Sequence, residues 1–301
     1  MPNILVTGGA GFIGSNLVIE LLKKNDNHIY VFDDLSTGRI NNLPVENKQL
    51  EFFKINLSLP YEQWPVLKDL DMIYHLAANA DVRGGEKNRE IDFIQNVVVT
   101  KSVCDYAKKY NTKHVVFASS ATVYGEPNVF PTKESDISCQ TSVYGASKLC
   151  GEAYLQAYSE YSDFTTTIFR FVSWIGKGYS HGVIYDFYKK LLDNPKELYI
   201  LGDGKQCKSF LDVTDGVKGI IELVNHNSKV EIFNLGHNQV MNILTLADNV
   251  CNYLNLGRIK YYFSGSERGW TGDSPFVHLD IDKANSFGWE PNVSIEDGIK
   301  N

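Results

Sequence analysis

A glycine-rich run lies between the first apolar segment of the chain and the amphipathic stretch that follows it. Residues 4–6 are Ile-Leu-Val, the sequence TGGAGFIG follows at 7–14, and the apolar spacing from Phe12 onward is typical of a helix. Glycine there permits a tight turn and lets the backbone approach a pyrophosphate. Free N–H groups at the start of a helix attract anions. The run therefore predicts a nucleotide-phosphate site made by Gly8, Gly11, Phe12, Ile13 and Gly14.

Short apolar runs alternate with amphipathic stretches through the first half of the chain. Strands are predicted at 4–6, 29–32, 72–76, 115–118 and 166–171, and helices at 12–24, 93–110 and 143–161. This alternation predicts an α/β fold, a Rossmann-type doubly wound parallel sheet with helices on both faces. After residue 172 the rhythm becomes irregular. We expect a dinucleotide-binding domain at 1–172, with a returning segment near 207–236, and a smaller C-terminal lobe for substrate mainly at 173–301.

Asp33 ends the second predicted strand, about twenty residues after the glycine run. A carboxylate at that place accepts hydrogen bonds from ribose hydroxyls and repels a 2′-phosphate. The sequence therefore favours NAD over NADP. Arg39 is an alternative NADP contact, but it lies several residues beyond the strand end.

Tyr144 and Lys148 are one helical turn apart in the third predicted helix, so they share a face. A phenol with a pKa of about 10 is a poor base near neutrality. An ammonium about 5 Å away at an effective dielectric of about 20 supplies roughly 3 kcal/mol of the roughly 4 kcal/mol needed. The positive ring of NAD⁺ would supply the remainder. The pair predicts a tyrosine general base.

The charge balance restricts the partners. Lys and Arg total 29 against 36 Asp and Glu, which discourages binding to nucleic acid or an anionic membrane. Five dispersed cysteines without a CxxC pair argue against a disulfide framework and against a zinc site, and the histidines are dispersed too. No apolar run approaches the roughly 20 residues of a membrane span. We expect a cytoplasmic enzyme without a metal.

Seven motifs occur in the order found in one enzyme family. They are TGGAGFIG at 7–14, DDLSTG at 33–38, HLAA at 75–78, SSATVYG at 119–125, YGASK at 144–148, GDGKQ at 202–206 and Gly-Asp at 272–273. With them the chain resembles the extended short-chain dehydrogenase/reductases almost from end to end. Within that family it is most similar to nucleotide-sugar 4-epimerases related to UDP-glucose 4-epimerase.

The resemblance separates three reactions at Ser120, Ala121 and Thr122. The 4,6-dehydratases carry Thr-Asp-Glu there, and UDP-glucuronate decarboxylases carry Glu where Thr122 stands. This chain has no carboxylate at these positions, which favours 4-epimerisation of a UDP-hexose, with Ser120 assisting Tyr144. Another NAD-dependent nucleotide-sugar reaction (dehydration, decarboxylation or reduction) is the alternative. A non-catalytic NAD sensor is less favoured, because Tyr144 and Lys148 are both retained.

The resemblance also implies binding residues. The cofactor set comprises the glycine run with Asp33, Asp34, Ser36, Asn56, Leu57, Leu76, Ala77, Ala78, Asn96, Tyr144, Lys148 and Phe171. The substrate set comprises Ser120, Thr122, Ser173, Lys208 and Arg268, and Arg268 would hold the diphosphate.

Several positions depart from the family pattern, so the sugar is left open. Ser173 replaces the usual Asn, Lys208 replaces an Arg, and the spacing from Arg268 to the late Gly-Asp is longer. Arg83, in a polar glycine-rich loop, is a further candidate for a substrate carboxylate or phosphate, although a solvated loop is favoured. By the resemblance, Val277 or a neighbouring residue takes the place of a gatekeeper beside the sugar C2 substituent, and a small side chain there would admit an N-acetyl group. The family also implies a homodimer through the helices at 93–110 and 143–161.

Overall fold

The computed structural model describes residues 2–136, 139–224 and 228–301. Its strands are β1 (Asn3–Thr7), β2 (His28–Asp33), β3 (Leu50–Lys54), β4 (Met72–His75), β5 (His114–Ala118), β6 (Thr165–Phe171), β7 (Ser173–Ile175), β8 (Glu197–Ile200), β9 (Cys207–Lys208), β10 (Phe210–Asp212), β11 (Val230–Leu235), β12 (Met241–Asn242), β13 (Lys260–Phe263) and β14 (Phe276–Val277). The helices are α1 (Phe12–Leu21), α2 (Arg89–Asp92), α3 (Val99–Lys109), α4 (Val143–Tyr161), α5 (Val183–Asp193), α6 (Val213–Glu222), α7 (Ile243–Tyr253), α8 (Asp282–Ser286) and α9 (Ile295–Lys300).

A parallel sheet of seven strands forms the centre of the described chain, in the order β11-β6-β5-β4-β1-β2-β3. Its strands are apolar because helices cover both faces. In β5 every residue is buried, and the register places Val6 of β1 beside Val31 of β2. The order reverses beside β1, so the loops after β1 and β4 diverge there and open a crevice at the carboxyl ends of the strands. The Rossmann-type prediction is confirmed.

Two apolar layers hold the helices on the sheet. On one face Leu17 of α1 and Ile220 of α6 belong to the same buried cluster. On the other face Val103 of α3 and Leu155 of α4 pack with the opposite side of the sheet. Full burial of one such side chain contributes roughly 1.5–3 kcal/mol. This packing fixes the positions of α1 and α4, the two helices that carry the predicted chemistry.

The helix predicted at 93–110 is longer and less regular than expected. It begins at Arg89 with α2, continues as a π-helical segment over Phe93–Val98, and ends at Lys109 with α3. The helix predicted at 12–24 ends at Leu21, and the turn after it holds the next residues. The helix at 143–161 has the predicted bounds.

The later part of the chain adds small sheets and a third apolar cluster. β8 pairs with β13, β7 with β10, and β9 lies between β12 and β14. Phe187 of α5, Ile200 of β8 and Leu246 of α7 are among the buried residues of that cluster. β11 returns to the central sheet beside β6. Across the described ranges we find no helix long and apolar enough to cross a membrane.

Candidate active site

The glycine run forms a tight turn between β1 and α1. Gly8 has a φ of +70°, and a Cβ there would lie 2.7 Å from the Ala77 nitrogen. A Cβ on Gly14 would lie 2.2 Å from the Gly8 carbonyl oxygen. No side chain caps the N-terminus of α1 at Gly11. The first-turn N–H groups therefore face the crevice, which is the environment that a pyrophosphate needs.

A cavity extends from this turn across the carboxyl ends of the strands. Of the predicted cofactor residues, it is lined by Gly8, Gly11, Phe12, Ile13, Gly14, Asp33, Asp34, Ser36, Leu57, Leu76, Ala77 and Ala78. Further lining residues were not predicted, namely Phe32, Thr37, Ile55, Ala80, Gln95, Ala118 and His181. Most of these are apolar neighbours of motif residues, and only the alternation of strand and loop could have indicated them. The cavity fits the dinucleotide that the glycine turn predicts.

Five predicted cofactor residues do not line the cavity, namely Asn56, Asn96, Tyr144, Lys148 and Phe171. Asn56 and Phe171 have contacts elsewhere. The Asn56 side chain caps its own turn by accepting from the Ser58 N–H at 2.9 Å. Phe171 packs in the apolar core, 4.6 Å from the Trp174 ring between centroids. Both stay predictions as cofactor contacts. Their positions show an immediate structural role for each.

Asp33 fixes the turn from the end of β2. One carboxylate oxygen accepts from the Ala10 N–H at 3.0 Å, and the other accepts from the Leu35 N–H at 2.8 Å. Burial raises the pKa of this carboxyl, and the two N–H groups oppose that rise. A carboxylate has about four acceptor sites, so capacity remains for ribose hydroxyls. Arg39 is exposed nearby and donates its backbone N–H to Ala10.

The catalytic pair predicted on α4 is buried beside the end of β5. Ser142 caps the helix by accepting from the Gly145 N–H at 3.0 Å. The Lys148 ammonium donates to the Ala118 carbonyl oxygen at 2.9 Å and lies 5.9 Å from the centre of the Tyr144 ring. Both side chains are less than a tenth exposed. The helix therefore holds the phenol and the ammonium at the edge of the cavity, next to Ala118 in its lining.

The protein groups alone do not bring the pKa of Tyr144 near 7. Burial raises the pKa of Tyr144 to about 12; the hydrogen bond with Ser120 lowers it, and the charge of Asp92 raises it. Burial also lowers the pKa of Lys148 to about 8, against the carboxylates of Asp92 and Glu152. Desolvation is the largest effect on the pKa of both groups. The base requires a further positive charge in the cavity.

Ser120 is oriented toward Tyr144 by its neighbour Thr122. The Thr122 hydroxyl donates to the Ser120 oxygen at 2.9 Å, and the Thr122 N–H donates to it at 3.2 Å. A serine hydroxyl has two acceptor positions and one hydrogen. Since Thr122 fills the acceptor positions, the Ser120 hydrogen is free for the Tyr144 oxygen, in agreement with the lowering effect on the tyrosine pKa.

Asn96 is buried in the π-helical segment rather than exposed on a helix surface. Its amide nitrogen donates to the Ser147 oxygen at 2.9 Å, and its amide oxygen accepts from the Asn79 N–H at 2.8 Å. Segments of π-helix occur frequently at functional sites. The wider helical turn directs Asn96 toward Ser147 of α4, and Ser147 immediately precedes Lys148.

The predicted phosphate-binding cations are paired with carboxylates. Lys208 donates to Asp273 at 2.5 Å. Arg268 forms an ion pair with Glu126 and donates to the Asp273 backbone oxygen at 2.9 Å. The structure therefore brings Lys208 and Arg268 together around Asp273. Their charge is balanced locally, so a diphosphate would replace existing contacts.

The remaining substrate candidates lie on nearby strands or loops. Ser173 begins β7 with an exposed side chain, and Val277 of β14 is paired with Lys208 of β9. Arg83 is exposed, and its backbone N–H donates to Asp81. Val277 thus lies beside Lys208.

A buried ion pair behind the site was not predicted. Arg170 donates to both carboxylate oxygens of Glu152, at 3.0 and 2.7 Å, and Ser119 donates to the same carboxylate. Glu152 follows Lys148 by one helical turn, a spacing that could have indicated its position. In the described part of the chain, no group of three or more His, Cys, Asp or Glu side chains could hold a metal.

Comparison with known proteins agrees with this site. The model of the NAD-dependent epimerase/dehydratase family matches residues 4–236. The chain belongs to this family. The family depends on NAD, and the lining of the cavity agrees with NAD as the cofactor.

Relatives within the family carry out more than one reaction. A protein of Methanocaldococcus jannaschii, provisionally assigned as a UDP-glucose 4-epimerase, is 34% identical over 99% of this chain and 96% of its own. UDP-glucuronic acid decarboxylase 1 of Arabidopsis thaliana is 30% identical over 98% of this chain and 68% of its own. Among solved structures, UDP-glucuronic acid 4-epimerase from Bacillus cereus, in complex with UDP-glucuronic acid and NAD, has a TM-score of 0.89. It is 26% identical over 99% of this chain and 96% of its own.

Proposed function

We propose that the protein interconverts C4 epimers of a UDP-activated hexose, with NAD held in the cavity of the central sheet. The observation that carries the proposal is the arrangement at the cavity edge. Thr122 directs Ser120 toward Tyr144, and Lys148 lies against the tyrosine ring. The Thr122 hydroxyl therefore orients the serine that hydrogen-bonds the proposed base. UDP-glucuronate decarboxylases carry Glu at the position of Thr122.

The chain itself supplies proton handling and orientation. The hydrogen bond from Ser120 stabilises Tyr144 as the phenolate, which takes the proton of the sugar O4 hydroxyl and becomes the neutral phenol. Lys148 adds positive charge beside it and is itself fixed by Ala118. The residues of the cavity would hold NAD, which would supply hydride uptake from C4 and its return. The 4-keto sugar must turn its other face to the site before that return, and Tyr144 then gives the proton back to O4.

A decarboxylase, a dehydratase and a reductase are the alternative enzymes of this family. The Arabidopsis relative is a decarboxylase. At Ala121 and Thr122 this chain lacks the carboxyl groups that the resemblance associates with elimination or decarboxylation. A non-catalytic NAD sensor has no need for the buried Tyr144 and Lys148, whose desolvation costs free energy. These observations favour epimerisation.

Two further properties belong to the same proposal. We propose a homodimer in the cytoplasm, in which the helical segment 93–110 and α4 of each protomer meet. Tyr154 and Tyr161 of α4 are exposed and provide apolar surface for such a contact. Sedimentation at micromolar concentration that gives only monomer would exclude the dimer.

Proton NMR of the purified protein with a panel of UDP-hexoses tests the reaction. The panel contains plain, N-acetylated and uronic sugars, and no cofactor is added. We expect one sugar to yield its C4 epimer at unchanged mass, with no stoichiometric NADH. Loss of water or of CO₂ would replace the proposal by a dehydratase or a decarboxylase. The Tyr144→Phe variant is the matched control for contaminating activity.

A further inference from the structure

Asp92, the last residue of α2, is a fully buried carboxylate that the proposed reaction leaves without a role. One of its oxygens accepts from the Asn79 amide nitrogen at 2.8 Å and from the Asn96 amide nitrogen at 3.4 Å. Its other oxygen has no hydrogen-bond partner among the described residues. A buried carboxylate that is only half satisfied costs free energy. This cost in stability indicates that Asp92 has a function.

The glycine-rich loop before α2 is shaped around this carboxylate. A Cβ on Gly85 would lie 2.5 Å from the second oxygen of Asp92. A Cβ on Gly84 would lie 2.8 Å from a carboxylate oxygen of Asp81. A larger residue at position 85 would displace the Asp92 carboxylate, and a larger residue at position 84 would displace the Asp81 carboxylate. The polar loop seen in the sequence thus has a packing requirement, which is to leave room for Asp92.

Two asparagines connect Asp92 to both sides of the site. Asn79 lies in the loop after β4, between Ala78 and Ala80, which both line the cofactor cavity. Its backbone N–H donates to the Asn96 amide oxygen at 2.8 Å. Asn96 in turn donates to Ser147 on the catalytic helix. Because an ionised carboxylate only accepts, Asp92 determines which end of each amide faces it.

Ser147 carries the connection into the catalytic helix. Its hydroxyl accepts from Asn96 and donates to the Tyr144 carbonyl oxygen at 2.7 Å. The charge of Asp92 also acts on the pair directly, because it opposes the burial that lowers the pKa of Lys148. Asp92 therefore influences both the orientation and the charge of the groups beside it.

We propose that Asp92 is a positioning residue that couples the cofactor-lining loop after β4 to the catalytic helix through Asn79 and Asn96. This role rests on the proposed function in so far as Tyr144 and Lys148 are catalytic. The hydrogen bonds themselves do not depend on the reaction. The proposal can therefore be tested with and without turnover.

Kinetics of Asp92→Asn and Asp92→Ala provide the first test. We expect kcat to fall roughly tenfold or more, as for a lost hydrogen bond to a charged group, with the KM for the sugar within about twofold of wild type. Asp215→Asn is the matched control, because Asp215 is also a buried carboxylate with one unpartnered oxygen among the described residues. It accepts two backbone N–H groups of the C-terminal segment. The control should lose stability and keep kcat. Wild-type kcat in Asp92→Asn would overturn the proposal.

Side-chain amide NMR provides the second test, which needs no substrate. The Asn96 NH₂ signals in a protein labelled with ¹⁵N-asparagine are assigned by their loss in Asn96→Ser. They should shift in Asp92→Asn and stay in place in Asp215→Asn. If wild type converts no UDP-sugar while these signals shift, the proposed function fails and the positioning role stands. Unmoved Asn96 signals in Asp92→Asn would overturn the positioning role even in an active epimerase.

Discussion

The two sides of the site are built differently. On the cofactor side, backbone and buried side chains hold one another, as where Asp33 accepts two N–H groups and a Cβ on Gly14 would overlap the Gly8 oxygen. On the substrate side, the ion pair between Arg268 and Glu126 has side chains 41% and 38% exposed. Exposed ion pairs contribute about 0–1 kcal/mol. The predicted catalytic groups are therefore held by packing, and the predicted phosphate-binding side chains by ion pairs that a ligand can replace.

This difference indicates which property of the enzyme can vary most easily. A change in the glycine turn or on α4 disturbs buried neighbours, so it alters stability and chemistry together. A change at Arg268 exchanges one exposed contact for another. Substrate preference can thus change while the reaction is retained, in agreement with relatives named for glucose and for glucuronic acid.

The largest effect is expected from Tyr144→Phe. Without the phenol, kcat should fall by roughly 10²–10⁴, the usual contribution of a general base, and NAD should remain bound. Turnover is followed by NMR, and bound NAD by release on denaturation. Tyr158→Phe is the control on the same helix, because its hydroxyl donates to Asp105, away from the cavity. Substantial residual activity in Tyr144→Phe would refute the assigned base.

Arg268→Ala and Glu126→Gln should act in opposite directions on substrate binding. Loss of the arginine removes a charge-assisted contact to the diphosphate, so the KM should rise roughly 10-fold to 100-fold. Loss of the Glu126 charge removes the competitor for Arg268, so the KM should fall. Initial rates over a range of substrate concentrations measure both. If the two variants shift the KM in the same direction, the idea that Glu126 and the diphosphate compete for Arg268 is refuted.

Lys148→Met should stabilise the protein at neutral pH while it abolishes turnover. The pKa of Lys148 is lowered from 10.5 to about 8, so the folded protein disfavours the charged form. The cost is fully present below pH 8 and disappears as the pH rises from 8 to 10.5, with an upper limit of roughly 3 kcal/mol. Urea unfolding at pH 7 and pH 10 measures the difference between variant and wild type. A gain that did not shrink at pH 10 would contradict the assignment to charge burial.

Val277→Tyr should give the smallest effect, confined to the sugar. A tyrosine would fill space beside Lys208, so activity on an N-acetylated UDP-hexose should fall roughly fivefold relative to the plain hexose. Competition between the two sugars in one reaction measures the ratio. Unchanged N-acetyl activity would remove Val277 as gatekeeper.

The sequence predicted the cofactor side better than the substrate side, for a physical reason. The alternation of strands and helices and the glycine turn depend on local patterns, such as the spacing of Gly8 and Gly14 and the position of Asp33, which can be recognised along the chain. The fold class followed from them, and the family followed from the seven motifs. The catalytic roles of Ser120, Tyr144 and Lys148 stay predictions until the variants are measured.

The features that were not predicted from the sequence depend on contacts between residues that are far apart in the chain. Arg268 pairs with Glu126, and Lys208 pairs with Asp273, across segments that are far apart in sequence. The sequence alone therefore shows Arg268 and Lys208 as cations without their partners. The raised pKa of Tyr144 required the burial of α4 to be known. The π-helical turn at Asn96 has no simple sequence pattern either.

The return of β11 to the central sheet has a consequence for how the chain can be divided. β6 lies between β5 and β11, and all but the first of its residues are buried. A fragment cut after residue 172 would lack β11 and would leave the unpaired backbone of β6 along an apolar edge, which invites aggregation. Expression of the two halves from separate genes should therefore yield soluble material only when both halves are made together.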